Sequence, residues 1–201
     1  MRNRETEVKL RVSNLRTTRK RLEEIGFRLL HARSLEDNFL FDTPDRALRK
    51  ARSILRLRQY GGKWIVTFKG TPAPDSFYKS RLELETEVEN PEAIRSIFEA
   101  LGFRRVFRYQ KYRSHYSPAR TPRRKKSPFE VALDETPIGN FLELEGSRRW
   151  IDQVARELGY SRSDYSTFSY GALYLQNCEK KNIPPGDMVF PDRPATGKEP
   201  Q

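Results

Sequence analysis

Glu5, Glu7 and Lys9 stand two residues apart near the start of the chain, and the same spacing returns in Arg56 and Arg58, Glu83 and Glu85, Lys111 and Arg113, and Glu143 and Glu145. A period of two places each set on one face of a β-strand. Carboxylate oxygens are hard donors that suit Mg²⁺ or Mn²⁺, whereas guanidinium and ammonium groups suit a chain of phosphates, Arg through its planar fork and Lys as a point charge. Both kinds gathered in one space would hold a metal-bound polyphosphate. Phosphoryl transfer asks mainly for positioning and charge neutralisation, so no nucleophilic side chain is required. The sequence has no Gly-x-x-x-x-Gly-Lys, which excludes a P-loop as the phosphate cradle, and His31 and His115 lack metal-ligand spacing.

The elements that must position these groups are legible from alternation and punctuation. Strands are expected around Glu5–Arg11, Asn38–Phe41, Ile54–Gln59, Trp64–Lys69, Arg81–Val88, Arg108–Tyr116, Phe129–Asp134 and Phe141–Glu145. Gly61-Gly62 signals a hairpin, and Asp42-Thr43-Pro44-Asp45 a turn. Helices capped by Ser13, by Asn90-Pro91 and by Ser147 carry apolar stripes through Leu22, Phe98 and Ile151, and stop at Gly26, Gly102 and Gly159. A strand bearing Glu-x-Glu, then a helix, then Gly-aromatic thus occurs three times, placing paired carboxylates on three separate strands.

Alternation alone also describes an antiparallel sheet with one face in water. The helices, however, must bury their stripes against the apolar face of the strands. If the sheet closes, the charged face becomes an interior lined by Glu5, Glu7, Lys9, Arg56, Arg58, Lys69, Glu83, Glu85, Lys111, Arg113, Glu143 and Glu145. Buried ion pairs seldom return more than their desolvation cost, so such an interior is better explained by function than by stability.

Composition is compatible with this. With 201 residues, the chain suits one domain, expected over 1–178, followed by a flexible tail over 179–201 that is rich in Pro, Gly and charge. Hydrophobic residues make up 36% and charged residues 33%, and the formal net charge of +12 implies an anionic partner. The lone Cys178 excludes an intrachain disulfide framework and suits a reducing compartment; with no long apolar run, the expected location is the cytoplasm, with no membrane partner. The stretch Arg120 to Lys126, with Tyr109, Tyr112 and Tyr116 nearby, opens a second class of function, a non-catalytic binder of polyphosphate or nucleic acid; a solvated hairpin tip explains it more simply.

Glu5-Thr6-Glu7-Val8-Lys9 resembles the Glu-x-Glu-x-Lys opening of the CYTH superfamily, the triphosphate tunnel metalloenzymes that include class IV adenylate cyclases, thiamine triphosphatases and inorganic triphosphatases. The resemblance continues in order through Leu55-Arg56-Leu57-Arg58, Thr67-Phe68-Lys69-Gly70, Arg81-Leu82-Glu83-Leu84-Glu85, Lys111-Tyr112-Arg113, Asp134, Phe141-Leu142-Glu143-Leu144-Glu145 and Ser169-Tyr170. It implies an α+β fold, a closed eight-stranded antiparallel β-barrel with helices packed outside. It further implies that Arg56, Arg58, Lys69, Lys111 and Arg113 hold phosphates, that Glu5, Glu7, Glu143 and Glu145 present Mg²⁺ or Mn²⁺, that Glu83 and Glu85 join the acidic ring, that Lys9 positions or deprotonates the attacking group, and that Asp134 orients a neighbouring cation. The implied partner is a small triphosphate such as ATP, thiamine triphosphate or tripolyphosphate, not nucleic acid, bound by a monomer or homodimer. Hydrolysis of that triphosphate and cyclisation of ATP to cyclic AMP both stay open.

Overall fold

The two-residue alternation is realised as eight antiparallel strands that close on themselves. The computed structural model describes residues 4–119 and 128–191. The strands are β1 (Arg4–Val12), β2 (Phe27–Asp42), β3 (Ile54–Tyr60), β4 (Lys63–Lys69), β5 (Lys79–Val88), β6 (Arg104–Pro118), β7 (Glu130–Thr136) and β8 (Gly139–Glu145). Around the barrel their order is β1-β5-β4-β3-β2-β6-β7-β8, with β8 returning to β1. Closure explains why β1 is buried on both faces: Glu5, Glu7 and Lys9 are enclosed on one side while Val8 and Leu10 are covered on the other.

Two helices supply that cover. Val8, Leu10, Val131, Leu133, Leu142 and Leu144 pack with Leu22 of α1 (Leu15–Glu24) and with Ile151 and Val154 of α4 (Arg148–Glu157) and its C-cap Leu158 in one continuous core. Each such side chain contributes roughly 1.5–3 kcal/mol on full burial, enough in sum to pin the register and thereby the aim of every inward charge. The first cap is Asn14 rather than Ser13, its side chain accepting from Thr17 N; Ser147 caps α4 as expected. Gly26, Gly102 and Gly159 follow the helices at φ of +88°, +87° and +88°, a region that disfavours any side chain.

Four features depart from the sequence reading. The strand expected at 38–41 begins at Phe27, because Phe27–Leu35 pairs with β6 alone as a ribbon, and β3 joins only at Glu36. Register shifts within the ribbon and exposure of both faces erase the alternation there. The helix α3 (Pro91–Ala100) buries none of its residues, and Ile97 and Leu101 stay 51% and 68% exposed. It links β5 to β6, four strand positions apart around the barrel, and is covered on one side only in part: Phe98 seats against Phe41, and Ile94 and Arg95 are half-buried, Arg95 lying over the Phe39 ring. A short helix, α2 (Ala47–Lys50), and a longer one, α5 (Tyr170–Lys181), were not expected. Finally, 179–191 is not a loose tail: α5 extends to Lys181, and Met188 is buried with its backbone bonded to Arg108 O and Gln110 N on β6.

The basic stretch 120–126 lies outside the described residues. Among the described residues no helix is long and apolar enough to cross a membrane.

Candidate active site

The barrel encloses a cavity of about 780 Å³, and every residue of the expected charged interior lines it: Glu5, Glu7, Lys9, Arg56, Arg58, Lys69, Glu83, Glu85, Lys111, Arg113, Glu143 and Glu145. Asp134 lies beneath that lining, fully buried. The charged parity of β1, β7 and β8 could face inward because the apolar parity of those strands is sealed by α1 and α4, whereas on β5 Leu82 and Leu84 stay 42% and 45% exposed.

One wall is built from β1, β5 and β8. Register sets Glu7 opposite Glu145 on one flank and opposite Lys79 on the other, with Glu5 opposite Arg81. Glu5 accepts from Lys69 at 2.7 Å and from Arg81 at 2.8 Å; Glu7 accepts from Lys9 at 2.8 Å and faces Lys79 at 3.2 Å. Lys9 also reaches Glu143 at 3.1 Å. Burial works against the Lys9 ammonium, yet Glu143 and Glu7 hold its pKa above the ordinary lysine value, so it stays protonated. Lys79 goes the other way: burial pushes it down to about 8 against the pull of Glu7.

The opposite wall comes from β2, β3, β6 and β7. Asp134 accepts two bonds from Arg113, both 2.6 Å, one from Lys111 at 3.1 Å and one from the Tyr170 hydroxyl at 2.5 Å. Glu36 faces Arg58 and Lys111, each at 3.4 Å, and these cations with Arg113 hold its carboxyl well below the usual range despite complete burial. Tyr170 is brought in by the first turn of α5, whose N-cap is Ser169; its ring lies 5.3 Å from Lys9 Nζ and 5.0 Å from Lys111 Nζ. Arg56 is the least satisfied cation of this wall, with Thr67 at 3.1 Å and Tyr109 and Glu85 at 3.4 and 3.9 Å. Its Nε and that of Arg58 are buried without a hydrogen-bond partner among the described residues. An anion with several oxygens is what such donors lack.

The donor set also suits a hard divalent cation. Glu145 makes no salt bridge among the described residues, and burial, followed by Glu130, Glu5 and Glu7, pushes its carboxyl up to about 8. Burial, Glu83 and Glu7 similarly push Glu5 up to about 7 against Lys69. Crowded carboxylates short of positive charge are the ones a cation stabilises. The cage is not preformed: among the described residues no three carboxylate, imidazole or thiol groups already converge on one point, because lysine and arginine occupy the oxygens of Glu5 and Glu7.

Several lining groups escaped the sequence reading. Lys79 and Arg81 share the inward parity of Glu83 and Glu85; the preceding Pro-containing loop hid Lys79, the first residue of β5, while Arg81 falls on the expected strand but outside the expected lining. Glu36 was lost with the first half of β2. His115, set aside for want of metal-ligand spacing, lines the cavity with Nδ1 2.7 Å from Glu130, whose carboxyl falls to about 2 although burial opposes this. Nothing in the local sequence pairs those two; their meeting depends on the β6–β7 and β7–β8 registers.

Comparison with known proteins agrees with this architecture. The family model described as CYTH domain matches residues 3–170. A Methanocaldococcus jannaschii protein named as a putative adenylate cyclase is 34% identical over 144 residues, covering 71% of this chain and 77% of that one. Among solved structures, a Vibrio parahaemolyticus protein also called a putative adenylate cyclase superimposes with a TM-score of 0.71 at 21% identity, over 85% of this chain and 97% of the other. A Hippeastrum protein described as a putative adenylyl cyclase with a dominant triphosphatase activity gives 0.59 at 21% identity, over 86% and 96%. The structural likenesses speak for the fold; the family match spans the inward-charged strands from β1 to the first residue of α5, and on that ground the chain belongs to the CYTH domain family.

Proposed function

We propose that this protein is a divalent-metal-dependent enzyme that takes a triphosphate into the barrel and hydrolyses it. The observation that carries the reading is the pairing, within one closed cavity, of partly unsatisfied guanidinium groups on β3 with carboxylates on β1 and β8 that lack full compensation. Arg56, Arg58, Lys69, Lys111 and Arg113 bind and align the phosphates, and Asp134 fixes the Lys111 and Arg113 head groups in place. Glu5, Glu7 and Glu145, with Glu143 beside them, would hold Mg²⁺ or Mn²⁺, which supplies charge neutralisation and activation of the attacking water. Lys9, kept protonated between Glu7 and Glu143, positions the reacting group and does not deprotonate it. Glu83 and Glu85 hold Lys69 and Arg58 from the side of β5, at 3.1 and 2.9 Å.

Cyclisation of ATP is the second reading, favoured by the name of the Methanocaldococcus relative. Incubating the protein with tripolyphosphate or ATP and Mg²⁺ or Mn²⁺, then resolving cyclic AMP from phosphate, separates the two. Phosphate release with no cyclic AMP supports hydrolysis, cyclic AMP with pyrophosphate supports the cyclase, and neither product from any triphosphate removes the enzyme reading.

A further inference from the structure

A second cleft, of about 860 Å³, lies on the outside of the barrel between the β4–β5 loop and α4. The charges of the central cavity and of Glu36 and Asp134 beneath it largely offset one another, so the +12 of the chain is not explained by that cavity. The outer cleft gathers Arg148, Arg149, Arg156 and Arg162 around Phe77 and Tyr78. Its two carboxylates are already committed. Asp75 accepts from the backbone of Phe77 and Tyr78, both at 2.9 Å, and from Arg148 at 2.6 Å. Asp152 accepts from the hydroxyls of Tyr78 at 2.5 Å and Tyr165 at 3.0 Å, and from Arg162 at 2.5 Å. Arg149 and Arg156 are left without a side-chain ion pair or hydrogen bond among the described residues. They are seven positions apart on α4, two turns of one helix face and about 10 Å along the axis.

Two uncompensated guanidiniums match the double charge of a phosphate monoester. Phe77, 43% exposed with the Arg162 guanidinium 5.7 Å from its ring, offers a planar face beside them, and aromatic and guanidinium planes together are what a nucleobase stacks on. We propose that this cleft is a second, external binding site for a nucleoside phosphate, its phosphate held by Arg149 and Arg156 and its base laid against Phe77. The site is independent of the chemistry assigned to the barrel, although Tyr78 immediately precedes the cavity residue Lys79.

The test is an amide chemical-shift titration of the full chain with AMP, ribose 5-phosphate and inorganic phosphate, in the native protein, the double variant R149E/R156E and F77A. Residues 75–78 and 148–162 report the cleft, and those of β3 and β6 report the barrel, so the two locations are read separately. Saturable shifts at the cleft with AMP, weakened at least tenfold in R149E/R156E and severalfold in F77A, are expected, with phosphate alone unaffected by F77A. All three side chains being solvent-exposed, both variants retain the native spectrum elsewhere. Absence of saturable shifts at the cleft, or AMP affinity unchanged in R149E/R156E, overturns the proposal. Equal binding of AMP and phosphate with no effect of F77A overturns the nucleoside part, leaving a simple anion site.

Discussion

The two walls of the barrel cavity use the same residue types to opposite ends. On the β2–β3–β6–β7 side, Asp134 and Glu36 are wholly buried behind the cations they face, and their charge is spent on holding Arg113, Lys111 and Arg58 in place. On the β1–β5–β8 side the carboxylates stand in the lining itself, Glu145 with no cationic partner among the described residues and Glu5 pushed toward protonation. A carboxylate under a cation orients it; a carboxylate beside other carboxylates waits for one. In the function proposed above, depth rather than residue type would decide which wall offers phosphate donors and which offers metal ligands.

That contrast is most directly broken by Asp134→Ala. Removing one side of a buried network strands Lys111, Arg113 and the Tyr170 hydroxyl, and should lower unfolding stability by roughly 3–5 kcal/mol in urea denaturation; a loss under about 1 kcal/mol would mean that Asp134 organises nothing. Arg56→Ala should leave the fold intact by circular dichroism yet reduce triphosphate turnover, measured as kcat/KM, by about 10²–10³, the scale for one preorganised charge-stabilising donor.

The pH response should differ in sign between Glu145 and Glu36, with Glu7 and Glu143, which neighbouring cations hold low, siding with Glu36. In metal-free protein Glu145 keeps a proton in the fold up to about pH 8 that the unfolded chain has released above its ordinary value of 4.5, so its contribution, full below 4.5, is lost as pH rises to about 8. Glu5 acts likewise up to about 7. Glu36, held low, behaves oppositely, its stabilisation being present above its unfolded value and lost on acidification. Thermal melts across this range should show the neutral-side loss, which Glu145→Gln flattens and Mn²⁺ reverses; a metal-free curve unchanged by Glu145→Gln would contradict the assignment. The smallest effect belongs to Glu85→Gln at the exposed rim, where the 2.9 Å contact to Arg58 is screened by water: within about 1 kcal/mol in stability, detectable chiefly as a change in the salt dependence of KM.

Much of this was legible in the chain. Arg56 and Arg58, or Glu143 and Glu145, announce a strand with a charged face because a period of two is a local property that neighbours cannot disguise. What failed to show was equally local in cause. Glu36 disappeared where the β2 ribbon loses its alternation, Lys79 where a loop blurs the start of β5, and α5 because its apolar residues, Tyr170, Ala172, Leu173, Tyr174, Leu175 and Cys178, do not keep to one face.

The sequence by itself determined which side chains share a strand face, and, through its three capped amphipathic helices, that the other face would be apolar. Only the tertiary structure decided that the ends of the sheet meet, that Glu7 sits between Glu145 and Lys79, that Asp134 lies under Arg113, and that the stripe of α3 is only half-covered. Spacing along a strand is fixed by covalent geometry, whereas register between strands and the depth of a charge are set by how distant segments pack, and a linear string carries no direct record of either.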